Sequence, residues 1–164
     1  MIEFSGDYLN SLINEAELSP RLRQHRNIHC SYEDHCQRFM NAICIGSYIA
    51  PHRHLLDPKD ECLVAIKGLF AVIFFSDVGG VDGIKLFGTE KYTNVSVGVE
   101  ITSATWHTVL ALEKKSVLLE VKAGPFDPNR AKELAPWAPS ENRSDVTAYY
   151  DMLSELCRAK LRGN

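Results

Sequence analysis

Apolar positions along the chain change period several times, and each change marks an element. Leu9, Leu12, Ile13 and Ala16 recur at helical spacing behind Asp7, which predicts a short N-terminal helix. Ser19-Pro20 closes it, because the residue before a proline is pushed out of the helical region. Arg21, Arg23, His25, Asn27 and His29 then fall on alternate positions, so an extended strand puts all five on one face. That face is either a solvated edge strand or the polar wall of a ligand cavity.

Beyond Gln37 the pattern becomes that of short strands. Apolar runs recur at Phe39 to Ile45, Leu63 to Phe75, Ile84 to Phe87, Val95 to Ile101, Val109 to Leu112 and Val117 to Val121. Turn clusters such as Ser76-Asp77-Val78-Gly79-Gly80 and Asp82-Gly83 separate them. Such runs, rich in Val, Ile, Phe and Thr, predict a mainly β fold, a barrel or double-sheet jelly roll. From Gly124 to Glu141 the prolines at 125, 128, 136 and 139 exclude helix or central strand, predicting an irregular arm pinned by Trp137. Ser144 is a candidate N-cap, and Val146, Tyr149, Tyr150, Leu153, Leu156 and Cys157 form the stripe of a C-terminal helix. The whole reads as one domain over 1–164. Its core barrel covers about 37–123, with an N-terminal helix and strand in 1–36 and the arm and helix in 124–164.

Composition narrows the function more than the fold. The chain is 45% hydrophobic and 24% charged, ordinary for a globular protein, and its net charge is −3. That balance gives no electrostatic case for nucleic acid or an anionic membrane. No apolar run approaches the roughly 18 residues of a membrane span, and Met1 to Asn10 does not read as a secretory leader. Five cysteines, an odd number without a dense framework, predict reduced thiols and a cytoplasmic location.

The chemistry concentrates between Gly46 and Gly68. His52 and His54 are two apart, so on a strand both imidazoles face one side, with Cα atoms roughly 6.5 to 7 Å apart. Two ring nitrogens can then converge on one ion at about 2.0 to 2.2 Å, while Arg53 faces the other way. A returning antiparallel strand can bring Glu61 beside them. A third histidine, His107, stands at the head of the strand carrying Val109 and Leu110. Three neutral imidazoles and one carboxylate leave a divalent ion with a net charge of about +1 and an incomplete octahedral shell. Such an ion polarises an oxygen ligand.

Gly46, five residues, His52-Arg53-His54, then Glu61, six residues and Gly68 resemble the first motif of the cupin superfamily, small jelly-roll barrels that hold one divalent metal. The gap from His54 to Glu61 is longer than in most cupins, and Thr102, Ala104 and Ala111 depart from the usual second motif. A narrower resemblance, to the WbuC-type cupin-fold metalloproteins, covers nearly the whole chain. It is carried by Ser19-Pro20-Arg21-Leu22-Arg23, Gln37-Arg38, Pro51-His52-Arg53-His54 and Trp106-His107-Thr108. Glu120-Val121-Lys122, Gly124-Pro125 and Ala135-Pro136-Trp137-Ala138-Pro139 extend it. That family has the longer gap before its glutamate. Asp60 stands where it usually has an aromatic, which implies a more polar setting for Glu61. The resemblance implies His52, His54, Glu61 and His107 as the metal ligands and an association with O-antigen polysaccharide gene clusters, with no established reaction.

Around this centre Gln37 and Asn41 share a strand face and, with Asn27 and His29, are candidate substrate-binding groups. The alternative for Gln37 and Asn41 is that they satisfy strand-end backbone. Glu120 and Lys59 are the candidate catalytic residues: Glu120 as a base or orienter, with a salt bridge to Lys122 as the alternative, and Lys59 as a cation over the metal. The reading is a mononuclear site for Mn, Fe, Ni or Zn in an isomerase or epimerase, hydrolase or oxygenase acting on a small polar or sugar-like substrate. Its rival is a non-catalytic metal-dependent binding or sensing module. Exposed edge strands also predict a homodimer.

Overall fold

The computed structural model describes residues 1–163. The first helix, α1, spans Gly6–Leu18, and the second, α2, spans Val146–Arg162. Between them run β1 (Arg23–Asn27), β2 (Cys36–Ile43), β3 (His52–Arg53), β4 (Glu61–Lys67) and β5 (Leu69–Phe75). There follow β6 (Val81–Gly88), β7 (Gly98–Ile101), β8 (Trp106–Ala111), β9 (Ser116–Ala123) and β10 (Glu133–Leu134). They form two five-stranded sheets, β1-β2-β9-β4-β7 and β10-β3-β8-β5-β6, with antiparallel neighbours.

The long run Leu63 to Phe75 is two strands, broken at Gly68. Gly68 has φ +87°, and a Cβ there would stand 2.2 Å from Ser116 Oγ. The chain leaves one sheet at this point and enters the other. β5 is apolar at nearly every position because both of its faces are covered. Phe70 and Val72 point into the barrel with Ile43, Leu63, Val109 and Leu118. Ala71, Ile73 and Phe75 point outward to Leu153 and Cys157 of α2. Helix α1 covers the outside of the other sheet, packing Leu12, Ile13 and Ala16 on Met40, Ala42 and Val117. Burying Leu12 or Ile13 contributes about 1.5 to 3 kcal/mol each.

Four sequence-based expectations change. The sheets extend beyond 37–123: β1 joins one and β10, from the proline-rich arm, joins the other. The arm is therefore irregular only in part, although Trp137 does pin it, lying against Phe75 at 5.0 Å and Trp106 at 6.1 Å. The N-cap of α2 is Asp145 rather than Ser144, and its carboxylate pairs with Arg143 instead of capping. Leu156, assigned to the buried stripe, is 40% exposed because the barrel surface meets α2 along Tyr150, Leu153 and Cys157.

Candidate metal centre

His52 lies on β3 directly opposite His107 on β8. The β3 strand is two residues long because Pro51 precedes it and the chain turns away at His54, whose N–H donates to the Ser103 carbonyl. Arg53 faces outward, paired with Glu133 at 2.9 Å and stacked over Trp106 at 4.2 Å. Glu61 does not return along a hairpin beside the histidines. It opens β4 in the facing sheet, between β7 and β9, and reaches the imidazoles across the barrel. Here β2 to β5 fall in alternate sheets, which the antiparallel-neighbour expectation missed.

The four side chains converge. One donor atom from each of His52, His54, Glu61 and His107 lies within 4.8 Å of the others, and all four residues are buried. His54 Nε2 is 3.0 Å from Glu61 Oε1, and His107 Nε2 is 3.2 Å from Glu61 Oε2. Each histidine engages a backbone carbonyl through Nδ1: His52 with Ala50 at 3.0 Å, His107 with Thr105 at 2.9 Å, and His54 with Ala131. With Nδ1–H donating, every Nε2 lone pair faces the same point, which is how protein orients metal-ligating imidazoles. His54 Nε2 is buried without an aligned hydrogen-bond partner. One carboxylate and three imidazoles, one of them with a ring nitrogen left without an aligned partner, fit a divalent transition metal.

The electrostatics agree with that fit. Burial, and then the neighbouring His107, holds His52 well below its ordinary value, so the ring stays neutral. Burial alone would raise Glu61, but the His107 and His54 imidazoles and the Lys122 ammonium hold its carboxyl well below the usual range. Lys122 Nζ bridges Glu61 Oε1 at 2.9 Å and Glu120 Oε1 at 3.0 Å. Glu120 thus takes the salt bridge weighed as its alternative, and through it touches the group that touches Glu61. Burial and the Glu61 charge push the Glu120 carboxyl up to about 8 against the pull of Lys122.

A cavity of about 360 Å³ opens beside the four residues. Asn27, His29, Gln37, Asn41 and Glu120 all line it, so the alternating face of β1 is a cavity wall as well as an edge strand. Gln37 is largely spent on backbone: its Nε2 donates to the carbonyls of Ser31, Tyr32 and Asp34 at 2.8 to 3.3 Å. His29 Nδ1 lies 3.0 Å from the Arg38 N–H, and its buried Nε2 has no partner. Lys59 does not cover the centre. It is tied to Asp57 at 2.6 Å and to the Pro125 carbonyl, away from the cavity. Asp60 also points elsewhere, accepting from the Ser103 N–H at 2.9 Å, so the polar setting of Glu61 comes from Lys122. Lys122 and the Ala131 carbonyl were not anticipated at the centre. The spacing of Glu120 and Lys122, two apart on one strand, was the available signal for the first. Nothing local announced the second.

A family model described as a domain of unknown function (DUF6016) matches residues 4–86, just over half of the chain. A search of curated proteins finds no match. Among solved structures, protein SO0799 from Shewanella oneidensis is similar at a TM-score of 0.60 and 11% identity, over 94% of this chain and 96% of that one. KdgF from Halomonas sp. is similar at 0.50 and 15% identity, over 68% of this chain and 86% of that one. Oxalate decarboxylase from Bacillus subtilis is similar at 0.50 and 17% identity, over 68% of this chain but 27% of that one. At such identities the likeness is one of fold: the architecture is a single cupin jelly roll.

Proposed function

The chain belongs to the family described as a domain of unknown function (DUF6016), and from that footing we propose a mononuclear metal-dependent enzyme acting on a small polar, sugar-like substrate. His52, His54, Glu61 and His107 would hold the ion. When bound, a divalent ion supplies Lewis acidity toward a substrate oxygen, which suits isomerisation or epimerisation, hydrolysis or oxygenation. The observation that carries this reading is the convergence of four buried donor groups on the wall of a cavity large enough for a small ligand. Glu120, with its carboxyl near neutrality, is the group placed to hold or pass a proton there. Asn27, Asn41 and the free Nε2 of His29 offer polar contacts to a hydroxylated ligand. The WbuC resemblance adds surface polysaccharide biosynthesis as the setting, and free thiols at Cys30, Cys36 and Cys62 fit the cytoplasm.

Elemental analysis of purified protein tests the metal assignment. Wild type is expected to carry about one transition-metal ion per chain, and His52→Ala and Glu61→Gln to lose it. Unchanged metal content in both variants would refute the assignment. One observation favours the second reading, a binding or sensing module: with Lys59 turned away and Gln37 engaged by backbone, Glu120 stands as the main proton-handling group beyond the ligand set. Turnover of any substrate that Glu120→Gln abolishes without loss of metal separates the two.

A further inference from the structure

The chain as a whole is acidic, yet the cavity that holds the four donors is lined by Arg21, Arg23, Lys122 and Lys132. Two of these cations are neutralised within the protein. Arg23 makes a two-pronged pair with Glu141 at 2.6 and 2.7 Å, and Lys122 is shared between Glu61 and Glu120. The other two are not. Arg21 is hydrogen-bonded through its backbone, and neither its guanidinium nor the Lys132 ammonium has an ion-pair or hydrogen-bond partner among the described residues.

The backbone of Lys132 is also held in place by its neighbours. On one side the Ala131 carbonyl accepts from His54, and on the other Glu133 pairs with both the β3 backbone and the Arg53 side chain. Its backbone therefore sits on the roof of the centre, and its side chain, like that of Arg21, is exposed at the mouth of the cavity it lines. Desolvation and the charges of Arg23, Lys122 and Arg21 press its ammonium below its ordinary value, against the opposing pull of Glu141. A bound anion relieves that repulsion. Deeper in the same cavity, His29 is 7% exposed and presents the unpartnered Nε2.

We infer that Arg21 and Lys132 form an anion subsite facing the four-donor centre, so that the cavity takes a hydroxylated ligand carrying a carboxylate or a phosphate. The inference rests on the proposed metal-centre reading for the ligand's other end, but its charged pair is separate from the ligand set. A cavity of about 360 Å³ accommodates a ligand of monosaccharide size.

Calorimetric titration of the purified full chain with glucose, glucuronate and glucose 6-phosphate tests this, with metal content measured on the same samples. At least one charged sugar is expected to bind ten-fold or more tighter than glucose, and the tighter of the two identifies carboxylate or phosphate. The double variant Arg21→Gln, Lys132→Gln is expected to lose that preference with metal content unchanged. Charged sugars that bind no tighter than glucose, in the wild type itself, overturn the inference, as does a double variant that keeps the full preference. Metal present without anion preference defeats this inference alone; anion preference in protein that holds no metal defeats the metal-centre reading alone.

Discussion

Lys122 is the residue on which the polar interior depends. Its ammonium lies between Glu61 and Glu120, and its side chain is 12% exposed. Desolvation works against that charge, but Glu120 and Glu61 outweigh it and hold the lysine above its ordinary value. Removing one partner of a buried pair leaves an uncompensated charge, which typically costs about 3 to 5 kcal/mol. Lys122→Met is therefore expected to lower the unfolding free energy of metal-free protein by about 3 kcal/mol in urea. Adding Glu61→Gln should recover part of the loss, since Glu61 is the carboxylate left ionised and stranded, whereas Glu120 is already largely protonated at neutral pH. A single variant within about 0.5 kcal/mol of wild type would show that the bridge is solvated and energetically idle. The sequence carried half of this arrangement. Glu120 in an apolar run needed a partner and Lys122 was a candidate, but the bond from Lys122 to Glu61 joins strands whose pairing no local pattern states.

At the scale of elements, the break between β4 and β5 decides which sheet receives Glu61. Gly68 makes that break with φ +87°, and its α-carbon packs so closely on Ser116 that a methyl group would overlap Oγ. Gly68→Ala must pay for left-handed backbone, about 1 to 2 kcal/mol, and for overpacking, roughly 1 to 3 kcal/mol. A loss of about 2 to 4 kcal/mol in chemical denaturation is expected; less than about 0.5 kcal/mol would mean that Ser116 moves aside and the break is set elsewhere. The run Leu63 to Phe75 shows why the sequence did not reveal this. Continuous apolarity on a strand buried on both faces conceals the alternation that separates strands, whereas the helices, each with one buried stripe, were readable nearly to their ends.

For the whole molecule, both sheets are open, with β1, β7, β10 and β6 at their edges. Unpaired edges favour association, and we propose that two copies pair. Sedimentation at twice the 18.4 kDa chain mass is expected, and particles of one chain mass alone would rule it out. By itself the sequence determined the mainly β class, both flanking helices and the identity of the converging side chains. Those follow from periodicity, proline placement and a spaced set of donor groups, all of them local, together with the family resemblance. Only the tertiary structure decided that Glu61 arrives from the facing sheet, that Lys122 ties it to Glu120, that Lys59 is elsewhere, and that Arg21 and Lys132 share one cavity. Each is a meeting of residues far apart in the chain, and such meetings depend on sheet order, which side-chain alternation along any one strand does not encode.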